Sequence, residues 1–253
     1  MKKNKFIVLL TLGFLAFSIN TFSQSSSKPT YVIVHGAWGG GWAFKKVDSL
    51  LTASGNKVYR PTLTGQGERV HLATPEVGLS THINDVVNTI LFEDLKNVIL
   101  VGHSYGGMVV TGVADSLPER ISKLVYLDAF VPEDGESVFA QGKTPEGMKP
   151  LIENGFLVPR WVRPNQSAPK DVPHSVKTFT DKISLKNPKR LSIPTAYILT
   201  VEKGKDSDKD DFSTQADKAR NKNWPVTILE ADHNPQWSAP FALVGLFNKL
   251  KSN

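Results

Sequence analysis

A serine stands at the centre of a Gly-x-Ser-x-Gly sequence at residues 102–106. The apolar run Val98–Val101 precedes it and a helix-like run from Met108 follows it, so the pattern predicts a strand, a sharp turn and a helix. Such a turn exposes the hydroxyl of Ser104 as a nucleophile, and the two glycines leave room for the helix that packs behind it. The N–H of Tyr105 is the predicted donor to the oxyanion of an attacked carbonyl group.

The serine hydroxyl also needs a base within hydrogen-bond reach. When the three groups follow the chain order serine, acid, histidine, the base comes late in the chain. His233 stands in Ala231–Pro235, directly after the last predicted strand, and is the predicted base. Five other histidines are not the predicted base. His71 and His82 precede the serine, and His35 and His103 are expected to face away from it. His174 lies in a later proline-rich segment. Of these, His174 is expected to be able to contact a substrate.

The acid that orients the imidazole has two candidate locations. Asp128 directly follows the apolar run Leu124–Leu127, where a buried charge would need a partner. The next strand end is followed by the charged stretch Glu202–Asp211, which has the composition of a solvated loop. Asp128 is the predicted acid, and Asp206 or Asp208 is the alternative.

A glycine-rich loop with the sequence HGAWGGGW occupies residues 35–42, after the first predicted strand. Such a loop lets backbone N–H groups face a substrate, and the N–H of Ala37 is the predicted second oxyanion donor, together with that of Tyr105. His35 is expected to be structural, beneath the loop. Trp38 and Trp42 are expected near the pocket and favour a small, largely apolar substrate.

Short β-branched runs alternate with helical patterns, which predicts an α/β fold with a mostly parallel sheet flanked by helices. The predicted strands are Thr30–Val34, Lys57–Arg60, Val98–Val101, Leu124–Asp128, Thr195–Thr200 and Val226–Glu230. The predicted helices are Trp42–Ala53, Thr81–Leu91, Gly107–Leu117, Phe212–Asn221 and Ala239–Lys249. Sheets of this kind place reactive groups at the carboxyl ends of their strands.

The stretch from Phe130 to Pro194 breaks this alternation and holds nine of the sixteen prolines. It is too long for a simple connection, and loops of this length often act as lids or binding elements. Its aromatic residues are too frequent for a disordered linker. We therefore predict a cap over the serine at residues 130–194, inserted after the strand that follows the nucleophile helix.

Residues 1–23 have the pattern of a secretory signal, with Lys2, Lys3 and Lys5 before the apolar centre Phe6–Phe17 and small residues before Gln24. The sequence therefore predicts an exported protein, periplasmic or extracellular, with residues 24–253 as one domain. The apolar run is short for a membrane span, so no stable membrane insertion is expected after cleavage, and retention as an uncleaved anchor is the alternative.

The composition excludes several classes of site. The sequence has no cysteine, so it can form no disulfide, no thiolate metal site and no cysteine nucleophile. Its net charge is +6, and three of its lysines belong to the signal segment. The remaining charge of about +3 is too small and too evenly spread to favour nucleic-acid binding. No oligomeric state is indicated.

Four stretches carry a resemblance to a known family: HGAW at 35–38, LTGQGER at 63–69, GHSYGG at 102–107 and YLDAFVP at 126–132. They resemble the α/β-hydrolase superfamily, in the branch of plant methylesterases, hydroxynitrile lyases and bacterial pyrethroid-hydrolysing carboxylesterases. The resemblance runs from about Thr30 to Phe130 and resumes around His233. It implies the α/β-hydrolase fold, a Ser-acid-His triad with Ser104 and His233, and no metal or organic cofactor.

The sequence departs from that branch at three positions. Many members carry the acid a few residues beyond the strand at 195–200, where this chain has Lys203. Certain haloalkane dehalogenases take the acid from the preceding strand, which here ends at Asp128. Similar hydroxynitrile lyases carry a threonine after the first-strand histidine and a lysine after the triad histidine, and this chain has Gly36 and Asn234 there. Without that lysine nothing obvious stabilises a departing cyanide.

The sequence thus predicts a serine carboxylic-ester hydrolase with a small-molecule ester substrate. Two alternatives stay open. One is a non-catalytic ligand receptor with the same fold, and the other is a carbon–carbon lyase of the hydroxynitrile-lyase type.

Overall fold

The computed structural model describes residues 29–141 and 145–250. The predicted signal segment at residues 1–23 lies outside the described residues. Within the described ranges, no helix combines the length and the apolar character that crossing a membrane requires.

Nine strands lie in the described part of the chain, and six of them form one sheet. They are β1 (Thr30–Val34), β2 (Lys57–Tyr59), β3 (Val98–His103), β4 (Ile121–Leu127), β5 (Ile152–Glu153), β6 (Phe156–Leu157), β7 (His174–Ser175), β8 (Thr195–Val201) and β9 (Val226–Glu230). The large sheet has the order β2-β1-β3-β4-β8-β9, and all its neighbouring strands are parallel. The predicted parallel sheet is confirmed, with β1 and β9 at the predicted bounds and the other four strands within three residues of them.

Helices cover both faces of this sheet. The described α-helices are α1 (Lys45–Ala53), α2 (Leu79–Phe92), α3 (Gly106–Ser116), α4 (Pro145–Met148), α5 (Lys177–Thr180), α6 (Ser213–Asn221), α7 (Pro235–Ser238) and α8 (Pro240–Leu250). Side chains of α1 and α8 pack on the face that Tyr31 and Ile33 present, and those of α2, α3 and α6 pack on the face of Val32 and Val34. Because both faces are covered, the central strands carry near-continuous apolar runs rather than an alternating pattern, such as Val98–Val101 in β3 and Leu124–Leu127 in β4.

An insertion at residues 128–194 separates β4 from β8 and contains a small antiparallel sheet, β5-β6-β7. The insertion is tied to the loops that follow the main strands, since the N–H of Val172 donates to the carbonyl of Trp38 (2.9 Å) and the Ser175 hydroxyl donates to that of Pro75 (2.9 Å). Phe179 of α5 is buried in the core beside α3. The insertion is therefore packed against the carboxyl end of the sheet.

Candidate active site

Ser104 lies in the sharp turn between β3 and α3, with a positive φ of 54°. A Cβ atom at Gly102 would lie 2.6 Å from Val110, and one at Gly106 would lie 2.7 Å from the carbonyl oxygen of Val34. No real side chain fits such distances, so the turn depends on these two glycines. This is the strand, elbow and helix arrangement that exposes a serine nucleophile in α/β-hydrolases.

Ser104, His233 and Asp128 form one continuous chain of hydrogen bonds. The Ser104 hydroxyl lies 3.0 Å from Nε2 of His233, and Nδ1 of the same ring lies 2.6 Å from Oδ2 of Asp128. Because a carboxylate can only accept, Nδ1 carries the proton and Nε2 accepts from the serine hydroxyl. These positions span 129 residues of sequence and meet where β3, β4 and β9 end.

Asp128 is the first residue after β4, and its own geometry aims the carboxylate at the histidine. Its φ is +45°, an uncommon conformation for a residue with a side chain. Its N–H donates to the carbonyl of Ile198 (2.8 Å), and its Oδ1 accepts the N–H of Thr200 (3.0 Å). The carboxylate is 2 % exposed, and each of its oxygens has a partner. A buried charge requires such partners.

The alternative acids lie elsewhere. Asp206 accepts the N–H of Asp208 and so caps a short 3₁₀ helix, and both side chains are exposed. Asp210 lies nearer the site, and its pKa is raised by burial and by the charges of Asp128 and Asp211. Its Oδ1 accepts the N–H of Phe212 (2.9 Å). In the described residues the imidazole of His233 has one carboxylate partner, which is Asp128.

His233 is held in place by two neighbours that sequence reasoning did not assign to this role. Nε2–H of His103 donates to the carbonyl of His233 (2.7 Å), and the ring of Phe212 stacks on the imidazole at 4.8 Å and 10°. Burial and the nearby His233 lower the pKa of His103 to about 3, so this ring stays neutral. His103 thus faces away from the reacting hydroxyl, as expected, and fixes the histidine backbone from below. No sequence pattern identified the stacked Phe212.

The two predicted oxyanion donors border the same cavity as Ser104. Among the described residues, the N–H groups of Ala37 and Tyr105 donate no hydrogen bond. The N–H of Trp38, which has a positive φ of 62°, is taken up by Nδ1 of His174 at 3.1 Å. Of the two residues of this loop that line the large cavity, Ala37 is therefore the one whose N–H has no partner among the described residues.

His174 does not meet the expectation of substrate contact. It is fully buried and packs among Tyr105, Phe179 and His82. Burial, with a smaller effect from neighbouring histidines, lowers its pKa well below the usual value. A neutral ring can accept through Nδ1, so the role that geometry gives to His174 is to hold the backbone of Trp38.

His35 and His82 are also buried structural groups. Nδ1–H of His35 donates to the carbonyl of Gly36 (2.7 Å), and its Nε2 accepts the N–H of Leu63 (3.1 Å), as expected for a histidine beneath the loop. His82 lies 2.9 Å from the hydroxyl of Tyr105. Burial lowers the pKa of each ring to about 4.

A cavity of about 640 Å³ opens beside Ser104 and His233. Its inner wall carries the apolar side chains of Trp38, Phe130 and Phe179, and its rim carries charged groups from the loop after β8: Glu202, Lys205, Lys209, Asp210 and Asp211. The charged stretch Glu202–Asp211, which was predicted as a solvated loop, thus has exposed side chains and also lines part of the cavity. Trp42, which was expected near the pocket, instead stacks on Trp237 at 5.7 Å.

Within the described ranges, no cluster of three histidine, aspartate or glutamate side chains could hold a metal ion. The polar groups that meet at Ser104 are a hydroxyl, an imidazole and a carboxylate in one hydrogen-bond chain, beside the N–H groups of two cavity-lining residues, and an arrangement of this kind can carry out acyl transfer.

Residues 31–246 match the sequence model of the alpha/beta hydrolase family, so the chain belongs to this family. It is 50% identical over 127 residues to the carbendazim hydrolyzing esterase of Nocardioides sp. (strain SG-4G), a match that covers 50% of this chain and 52% of that protein. It is 30% identical over 251 residues to the pheophorbidase of Raphanus sativus, covering 84% and 90%. The crystal structure of a methylesterase from Arabidopsis superposes with a TM-score of 0.70 at 26% identity, covering 88% and 99%.

The length of these matches differs. The chain spans about half the length of the carbendazim esterase, and likewise 51% of methylesterase 2 of Arabidopsis thaliana. The matches confirm the suspected branch of the family: the longer ones include a methylesterase and a pheophorbidase, and a shorter one, over 42% of each chain, is to an alpha-hydroxynitrile lyase of Arabidopsis thaliana.

Proposed function

We propose that this protein is a serine hydrolase that cleaves small, largely apolar carboxylic esters through an acyl-enzyme. The observation that carries the proposal is the unbroken hydrogen-bond chain from Ser104 through His233 to Asp128. The activities for which the relatives are named, which include a carbendazim hydrolyzing esterase and several methylesterases, support the same class of reaction.

The first half of the reaction forms the acyl-enzyme. Oγ of Ser104 attacks the ester carbonyl carbon while Nε2 of His233 takes the hydroxyl proton. Asp128 stabilises the imidazolium that results, because its carboxylate accepts from Nδ1–H. The N–H groups of Ala37 and Tyr105 stabilise the negative oxygen of the tetrahedral intermediate. When this intermediate collapses, His233 returns the proton to the leaving alkoxide, and the alcohol departs.

The second half of the reaction removes the acyl group. A water molecule gives a proton to Nε2 of His233 and attacks the acyl carbon, and the same two N–H groups stabilise the oxyanion again. Collapse of the second intermediate breaks the bond to Oγ, and the imidazolium returns its proton to Ser104. The products are one carboxylic acid and one alcohol, and the enzyme regains its starting state.

The shape of the cavity supports a small apolar substrate. Its 640 Å³ lies within the range of about 300–1,000 Å³ that is usual for small-molecule sites. The wall next to Ser104 is formed by the buried rings of Tyr105, Phe130 and Phe179. The charged groups stand at the rim, where water can solvate them.

The sequence argues against the lyase alternative. A hydroxynitrile lyase of this branch would use a threonine hydroxyl and a lysine ammonium group, and Gly36 and Asn234 supply neither. Asn234 is neutral and accepts a hydrogen bond from Gln236 (3.1 Å), so it offers no positive charge to a departing cyanide. Ester hydrolysis needs neither group.

The test is the turnover of a short-chain p-nitrophenyl ester by wild-type protein and by the Ser104→Ala variant. We expect kcat to fall by about a millionfold, because the nucleophile acts as one unit with its base. The thermal unfolding midpoint should stay close to that of the wild type, which separates chemistry from folding. Undiminished turnover by the variant would remove Ser104 from the mechanism. A wild type that neither turns over the ester nor reacts with a fluorophosphonate would favour the receptor alternative.

A further inference from the structure

A second groove, of about 220 Å³, meets the active site at Ser104 and His233 from the side of the loop that follows His233. It shares Ala37, Trp38, Ser104 and His233 with the large cavity. Its volume lies below the range of about 300 Å³ and upward that whole small-molecule ligands occupy. The groove therefore has room for one part of a substrate whose remainder fills the large cavity.

Two half-exposed tryptophans form the walls of this groove. Trp161 of the insertion is 54% exposed and Trp237 of α7 is 51% exposed, and both line the groove. Large indole surfaces beside a nucleophile provide a flat apolar contact for a ligand, whereas elsewhere in a fold they are usually packed away.

Both indole rings are fixed by contacts of their own. Nε1–H of Trp161 donates to Asp171 (2.8 Å), and the ring meets Trp38 edge to face at 5.1 Å and 84°. Trp237 stacks on Trp42 at 5.7 Å and 21°. Because these contacts fix the rings, a flat group that packs on them loses little free energy to ordering side chains.

The position of the groove decides which part of the ester it accepts. The leaving oxygen must approach Nε2 of His233 to receive its proton. Trp237 follows His233 by four residues on the same loop and short helix, so the groove extends from the histidine. Ala37, which carries one of the two oxyanion donors, lines both spaces together with His233, so the oxyanion lies where they meet and the two halves of the ester extend to either side. The groove, whose wall continues the loop of His233, suits the alcohol part, and the large cavity suits the acyl group.

We propose that the groove between Trp161 and Trp237 is the leaving-group subsite and that it selects esters of planar aromatic alcohols. This inference rests on the proposed ester hydrolysis and adds the substrate class. In the reaction the aromatic alcohol leaves along the groove with the proton that Ser104 gave up, while the acyl group stays on Oγ.

The experiment compares three esters whose acid release is followed by titration at constant pH. Benzyl acetate carries its ring on the alcohol side, its isomer methyl phenylacetate carries the ring on the acyl side, and n-hexyl acetate carries a flexible alcohol. Benzyl and hexyl alcohols are similarly poor leaving groups, so the two acetates differ mainly in the shape of the alcohol.

The variants are Trp161→Leu and Trp237→Leu, which keep apolar volume and remove the flat ring. Phe92→Leu is the matched control, because Phe92 is 91% exposed at the end of α2, where the strands begin rather than where they end. We expect each tryptophan variant to lower kcat/KM for benzyl acetate about five- to tenfold, mainly through KM, and to change the other two esters less than about twofold. Thermal unfolding of each variant shows that the fold is retained.

Several outcomes overturn the inference. Equal losses on all three esters would mean that the tryptophans only support the site, and no loss on any ester would mean that the groove binds nothing. A loss confined to methyl phenylacetate would place the ring on the acyl side. If neither the wild-type protein nor the Ser104→Ala variant hydrolyses any of the three esters, the proposed ester hydrolysis itself fails. This result differs from the outcomes above, in which the wild-type protein hydrolyses the esters.

Discussion

Two neighbouring strands of the sheet, β4 and β8, both end in carboxylates, but the two strand ends treat these groups differently. After β4 a single carboxylate, Asp128, is buried and has a hydrogen-bond partner on each oxygen. After β8 the acidic side chains lie at the surface or the cavity rim, and two of them pair with lysines of the same loop: Glu202 with Lys205 (2.6 Å) and Asp206 with Lys209 (3.7 Å). A strand end can therefore hold a reactive acid where the surrounding fold excludes water and supplies partners.

The resemblance to the methylesterase branch implied an acid a few residues beyond β8. Lys203 stands near that position and is exposed. Asp128, in its positive-φ conformation one residue beyond β4, reaches the imidazole of His233 from the adjacent strand. In this chain the carboxylate partner of His233 therefore comes from the end of β4.

The largest effect should come from Asp128→Asn. The amide keeps an oxygen for the N–H of Thr200, but its NH₂ group favours the wrong tautomer of His233, so kcat should fall by about three to four orders of magnitude. Asp206→Asn and Asp208→Asn are the matched controls, and steady-state hydrolysis of a p-nitrophenyl ester measures all three. If kcat fell strongly in Asp206→Asn or Asp208→Asn and stayed unchanged in Asp128→Asn, the acid would belong to the loop after β8 and not to the end of β4.

A smaller effect is expected on the oxyanion side, where another buried polar group supports the site. His174→Ala removes the acceptor of the Trp38 N–H and loosens the loop that carries Ala37, so kcat should fall about ten- to a hundredfold with little change in KM. His174→Asn places an acceptor near the former Nδ1 and should restore part of the rate. Equal kcat in the alanine and asparagine variants would show that the hydrogen bond to Trp38 is unimportant for catalysis.

The smallest effect is expected on the pH dependence of the free energy of unfolding, where buried histidines are compared with an exposed one. The pKa values of His35 and His82 are lowered by burial to about 4, and in the unfolded chain they return to about 6.5. Between these values the unfolded chain binds more protons, so stability is fully present above about pH 6.5 and is lost as the pH falls, by up to about 1.4 kcal/mol per pH unit for each ring.

Urea unfolding between pH 7.5 and pH 5 measures this slope. His82→Asn should make the slope shallower by the contribution of one ring, whereas the exposed His71→Gln should leave it unchanged. A free energy of unfolding that stays constant or rises on acidification would contradict the burial of these histidines as neutral rings.

Much of the scaffold could be predicted from the sequence because its signals are local. The apolar runs of β1 and β9 define both of their ends, and the glycines around Ser104 define the elbow. β4 begins three residues earlier than predicted, since Ser122 and Lys123 interrupt the apolar pattern and their hydrogen bonds are made to distant backbone carbonyls of Val98 and Leu250.

The rest could not be predicted because it depends on which distant segments meet. No local signal around Asp128 indicates that its strand end adjoins the loop of His233, so the sequence alone leaves two candidate locations for the acid. The insertion follows no regular period, and the burial of His174 and the exposure of Trp161 depend on how it folds back on the loop of Trp38. The position of Trp42 likewise depends on a distant segment, because its ring stacks on Trp237 of α7.

The most direct test of the account is the site of covalent labelling by a fluorophosphonate, located by mass spectrometry of proteolytic peptides. Oγ of Ser104 should displace fluoride from phosphorus, with its proton passing to His233, so the wild-type protein should carry one phosphonyl adduct on Ser104. The Asp128→Asn variant should form the same adduct far more slowly. An adduct on a different residue, or labelling of Ser104 at an equal rate in both proteins, would contradict the catalytic chain of Ser104, His233 and Asp128.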